Sequence, residues 1–108
     1  MKAFSIDELL RQQGVSGDEW SEFLRIPEMS LGLYVLRAGT ADMQSPHAED
    51  EIYVVLEGRG VLRVDDDDRP VAKGDILFVE RSADHRFHSI TEDLKLLVVF
   101  APAYSGRD

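Results

Sequence analysis

The chain has no cysteine among its 108 residues, which excludes disulfides, zinc knuckles, iron–sulfur clusters and thiol catalysis. It is also short of positive charge: 12 Lys and Arg stand against 21 Asp and Glu, a formal net charge of −9. Phosphate binding needs clustered Lys and Arg, so no nucleic-acid partner is expected. Surplus acid reads first as a device for solubility. No apolar run approaches the roughly 20 residues that cross a bilayer, so no membrane partner is expected either. The opening MKAFSIDELLRQQ places acids where a signal peptide carries its apolar region, which points to a cytoplasmic location.

What is present suits one globular domain, with 44% apolar and 31% charged residues. Ser5-Ile6-Asp7-Glu8 reads as a capping box ahead of Ile6, Leu9 and Leu10 at helical spacing, and Gly14 reads as the stop. This predicts a short helix over residues 5–13. Trp20, Phe23 and Leu24 fit helical spacing, yet the stretch can equally run extended into a strand. From Gly32 onward the pattern is strand after strand: residues 32–38, 50–57, 60–65, 75–79, 85–90 and 94–100, each short and rich in Val, Ile, Leu, Phe or Tyr. Turn formers separate them, with no helix between, so an antiparallel sandwich or barrel is expected rather than βαβ units. The division is an N-terminal helical or extended segment over 1–24 and a β-barrel over 25–108. The aromatic surplus of the first segment marks it as a dimer contact, because edge strands of small barrels need protection.

Only three histidines are available for chemistry: His47, His85 and His88. In an extended segment His47 and Glu51 project to one face, with Tyr53 and Val55 continuing it. Glu51 then points into the barrel, where an unpaired carboxylate is costly and calls for a cation, hydrogen bonds or water. His85 opens another strand on the face of Phe87 and Ser89, while His88 falls on the opposite, solvent side. Two imidazoles and a carboxylate suit Fe(II), Mn, Ni, Cu or Zn with positions left open. The acidic run Asp65 to Asp68 lacks the alternate spacing and closing Glu of a calcium loop, and reads as a solvated hairpin tip.

The stretch from Gly39 to Ser89 resembles the two motifs of the cupins. The first, G-x5-H-x-H-x3-E-x6-G, falls on Gly39, Ser45, His47, Glu51 and Gly58. The second, G-x5-P-x-G-x2-H-x3-N, falls on Gly74, Glu80, Ser82, His85 and Ser89, with every spacing kept. The resemblance implies an all-β, antiparallel double-stranded β-helix, the jelly-roll barrel. It also implies a divalent metal ion on His47, Glu51 and His85. Ser45 occupies the place of a further histidine ligand, leaving that position to Gln44, Ser45 or water. A homodimer follows from the same resemblance. Glu80 and Ser82 replace a proline and a glycine and alter the turn before His85. Glu80 there is either solvated or a proton acceptor at the barrel mouth, and Tyr53 is either a core ring or a donor to a bound oxygen.

Fold alone does not name a reaction. The leading expectation is a metal-binding cupin that binds or acts on a small organic molecule, as a metal-dependent oxygenase or isomerase. The alternatives are a non-catalytic module for a small ligand or metal, and a purely structural dimer subunit.

Overall fold

The computed structural model describes residues 1–42 and 46–106. The Ser5 hydroxyl accepts the Glu8 amide at 3.4 Å and opens helix α1, Ile6–Ser16. The helix runs past Gly14 and stops at Gly17, which takes the left-handed conformation and donates its N–H to the Gln13 carbonyl. The expected end at residue 13 was too early, because an interior glycine weakens a helix without ending it.

Among the described residues six strands follow: β1 Trp20–Ile26, β2 Met29–Leu36, β3 Asp50–Val64, β4 Asp67–Ala72, β5 Ile76–Val79 and β6 His85–Ala101. The ambiguous stretch after the helix is therefore extended. Two pairs of expected strands are fused. Residues 50–57 and 60–64 belong to β3, with Asp65 in the following turn, and residues 85–90 and 94–100 belong to β6. Gly58-Arg59-Gly60 and Thr91-Glu92-Asp93 mark where this ribbon bends, and the β3–β6 register slips there instead of breaking. Gly58 has φ +98°, and a Cβ on it would stand 2.1 Å from the Asp93 carbonyl oxygen. Strand β4 escaped the sequence pattern because Asp67, Asp68, Arg69 and Pro70 carry no apolar alternation. Among the described residues it pairs only with β3, an edge place where proline is tolerated. The tip of the acidic run is the turn Asp65–Asp66.

The long antiparallel ribbon of β3 and β6 serves two sheets. Its open end is extended by β5 beside β3, and by β2 and then β1 beside β6; its other half is extended by β4. Between the sheets lies a core that includes Leu36, Tyr53, Leu62, Phe87, Leu96 and Phe100. Each such side chain contributes about 1.5–3 kcal/mol by leaving water. Trp20 also turns inward. Its ring fills the space over Gly32 and meets Tyr34, Phe100 and Tyr104 at centroid distances of 6.2, 5.9 and 6.1 Å. Among the described residues no helix is long and apolar enough to cross a membrane.

Candidate metal centre

Alternation along β3 sends Glu51, Tyr53 and Val55 into the barrel and leaves Ile52 and Val54 outside. His47 precedes the strand across a bend, yet its side chain also turns inward and is buried. His85 enters from the opposite wall at the first residue of β6, next to inward Phe87. Ser89 does not continue that face. It is exposed with φ +50°, a kink that interrupts the alternation.

His47, Glu51 and His85 converge. Their candidate ligand atoms all lie within 4.8 Å of one another, and all three residues are buried. His85 Nε2 stands 3.0 Å from Glu51 Oε1, and His47 Nε2 stands 3.8 Å from the same oxygen. Two donors bound to one transition metal at about 2.1 Å stand about 3.0–3.4 Å apart, so the pocket is close to the spacing an ion requires. Glu51 Oε1 and His85 Nε2 are fully shielded from solvent, and neither finds an aligned hydrogen-bond partner among the described residues. Burial opposes charge on His85, but the Glu51 carboxylate and the Ala83 carbonyl outweigh it and raise the imidazole pKa.

The tautomer of His85 sharpens the point. Its Nδ1 lies 2.9 Å from the Ala83 carbonyl oxygen. A carbonyl only accepts, so Nδ1 carries the proton. In neutral His85 the Nε2 lone pair then faces a carboxylate oxygen, and two acceptors at 3.0 Å repel unless a proton or a cation stands between them. A backbone carbonyl behind the second ring nitrogen is also the usual support of a metal-binding histidine.

Residues outside the sequence motifs complete the surroundings. Asp42, buried, accepts the Phe87 amide at 2.8 Å and the Tyr34 hydroxyl at 2.9 Å, and its charge acts on His85. The Tyr104 ring stacks on Phe100 at 4.5 Å and meets the His47 ring edge-on at 5.2 Å. The C-terminal segment is pinned there by Tyr104 N–H to Ser30 Oγ and by Ser105 N–H to the buried Glu49. The turn that carries Ser82, φ +67°, donates the Ser82 amide to the His47 carbonyl at 2.7 Å. Glu80 is exposed. Tyr53 is fully buried and packs on Phe87 at 4.9 Å. His88 lies on the other face, as alternation predicts, and pairs with Asp68 at 2.9 Å. That bond, together with Arg63, holds the Asp68 carboxyl below the usual carboxylate range. Gln44 and Ser45, the candidates for a fourth ligand, lie outside the described residues.

The cupin domain family matches residues 32–100, which span both motifs and all three of His47, Glu51 and His85. The chain belongs to the cupin family. An uncharacterized protein of Streptomyces coelicolor is 46% identical over 105 residues, covering 97% of this cupin and 100% of the relative. The crystal structure of TT1209 from Thermus thermophilus is similar with a TM-score of 0.74 and 28% identity, over 95% of this chain and 99% of that one. The DMSP lyase DddQ of Ruegeria pomeroyi shares the fold at 17% identity and a TM-score of 0.69, over 79% of this chain and 48% of the lyase. That likeness is one of fold.

Proposed function

We propose that this cupin holds a divalent transition-metal ion on His47, Glu51 and His85 and uses it to bind and transform a small organic molecule, as an oxygenase or isomerase. The observation that carries the reading is the buried confrontation of Glu51 Oε1 with His85 Nε2, two acceptors 3.0 Å apart without an aligned hydrogen bond. A cation turns that repulsion into attraction. Buried Asp42 adds a second negative charge near the pocket. When bound, the ion supplies Lewis acidity and open positions for oxygen-bearing ligands.

The protein's own part is placement and exclusion. Ala83 fixes the His85 tautomer, the Ser82 amide ties the His47 backbone to the opposite turn, and Tyr104 and Phe100 press on the His47 ring. The cluster of Trp20, Tyr34, Phe100 and Tyr104 shields that flank of the site from water. A second reading is favoured by the raised pKa of His85: a proton on Nε2 also resolves the repulsion. The pocket is then a metal-free, ion-paired site of a ligand-binding module.

Elemental analysis of protein purified without chelator separates the two. The expected result is close to one equivalent of transition metal in the parent and in His88→Ala, and loss of it in His85→Ala and Glu51→Gln. Parent protein without metal under varied supply supports the second reading, and equal loss in the His88 variant overturns this set of ligands.

A further inference from the structure

A surface helix packs through an apolar stripe, and α1 departs from that rule at its deepest point. Leu9, Leu10 and Gln13 are the residues of the helix that are not exposed, and the most buried of them is the glutamine. A buried amide is costly unless its polar atoms are bonded. The nitrogen of Gln13 is well served: Nε2 lies 2.9, 3.1 and 3.2 Å from the carbonyl oxygens of Asp18, Glu19 and Leu33. Three carbonyls accept only the N–H end, so the orientation of the amide is fixed. Oε1 is left at the other end, shielded from solvent and without a hydrogen-bond partner among the described residues.

Gln13 borders a cavity of about 310 Å³ between α1 and the strands β2 and β6, a volume at the lower end of small-molecule pockets. Val35 and Lys95, opposite each other in the β2–β6 pairing, line it together with Arg37. No carboxylate among the described residues pairs with Arg37. Lys95 reaches the exposed Glu57 at 3.6 Å, a contact that water weakens. Asp18, Glu19 and Asp93 stand on the same walls, and Asp93 Oδ1 already accepts the Ala38 amide at 2.7 Å. The cavity thus joins charges of both signs to a buried acceptor that lacks its donor.

We propose that this cavity binds a small organic zwitterion, with its carboxylate on Arg37 and Lys95 and its ammonium donating to Gln13 Oε1. Spacing sets the length of the ligand. Gln13 is tied to the Leu33 carbonyl, whereas Lys95 pairs with Val35, two residues or ~7 Å farther along β2. The two charges of the ligand therefore stand several carbons apart, as in an ω-amino acid. A simple anion meets three acids and leaves Oε1 without a donor, and a simple amine leaves Arg37 without a partner. Oε1 is reached by a slight yielding of α1, which three side chains hold on the sheet. None of His47, Glu51 and His85 lines this cavity, and the proposal is independent of any metal.

Chemical-shift titration of the full chain with γ-aminobutyrate and δ-aminovalerate tests it. Saturable shifts should centre on the Gln13 side-chain amide and on the backbone of Val35 and Lys95, leaving Glu51 and His85 unmoved. Butanoate, which lacks the donor, and butylamine, which lacks the carboxylate, should each bind roughly tenfold more weakly or less. Arg37→Ala, at an exposed position, should weaken binding by roughly tenfold with circular dichroism unchanged. Arg59→Ala, an exposed arginine outside the lining, should leave binding intact. No saturable shift from either probe in the millimolar range, shifts centred on Glu51 and His85, equal binding of butanoate, or an Arg37→Ala variant that binds like the parent overturns the proposal.

Discussion

Asp42 binds partners that its sequence neighbourhood does not foretell. Its two oxygens satisfy the Phe87 amide and the Tyr34 hydroxyl, on strands β6 and β2. Asp42→Ala strands the buried Phe87 amide and removes one partner of the Tyr34 hydroxyl, and the expected loss is about 1–3 kcal/mol in urea unfolding. Asp42→Asn keeps an acceptor and should lose less. Ser82 works in the other direction. It holds φ +67° where the family motif has glycine, and a left-handed conformation costs an L-residue about 1–2 kcal/mol. Ser82→Gly keeps the amide bond to His47 and should stabilise the chain by about 0.5–1 kcal/mol after the entropic cost of glycine; equilibrium unfolding measures it. The convergence of His47, Glu51 and His85 was legible in the sequence: alternation turns Glu51 and His85 inward, and motif spacing picked out His47, which enters from a bend before β3. Asp42, Glu49 and Tyr104 were not, since their partners lie across the barrel and no periodicity encodes them.

At the scale of elements, apolar alternation located the strands, and the turn formers suggested too many ends. Gly58 shows why. It is the corner at which β3 leaves one sheet for the other, and the chain continues through it in register-slipped pairing with β6. Its φ of +98° and the Asp93 carbonyl 2.1 Å from a would-be Cβ leave room only for glycine. Gly58→Ala should cost about 3 kcal/mol or more, read from the midpoint of thermal or urea unfolding. A glycine that bends a strand and one that ends it look alike in sequence, and so do Pro70 in an edge strand and Pro70 in a loop. Strand β4 was missed for that reason, whereas β1 was left open because Trp20, Phe23 and Leu24 satisfy a helix as well as a strand.

For the whole molecule, a ligand that binds the folded chain alone raises stability by an amount set by its concentration relative to its dissociation constant. Metal at a hundredfold excess over its dissociation constant adds about 2.7 kcal/mol. In a domain of this size that is a rise of about 10–20 °C in Tm. Calorimetry should show the rise on adding metal to the parent, its reversal by a chelator, and none of it in His85→Ala.

The ribbon of β3 and β6 gives that stabilisation a direction in time. Along its ladder Glu51 stands opposite Phe100, and His85 stands opposite Val64, at the other end. The two side chains meet only because the ribbon curls back on itself, and a half-formed barrel keeps them apart. An ion therefore has nothing to hold until closure is complete. Its effect falls on the rate at which the closed barrel opens and spares the rate at which it forms. Stopped-flow traces with metal present should show slower unfolding beside unaltered refolding, so that the ion acts as a latch on the finished barrel instead of a template for building it.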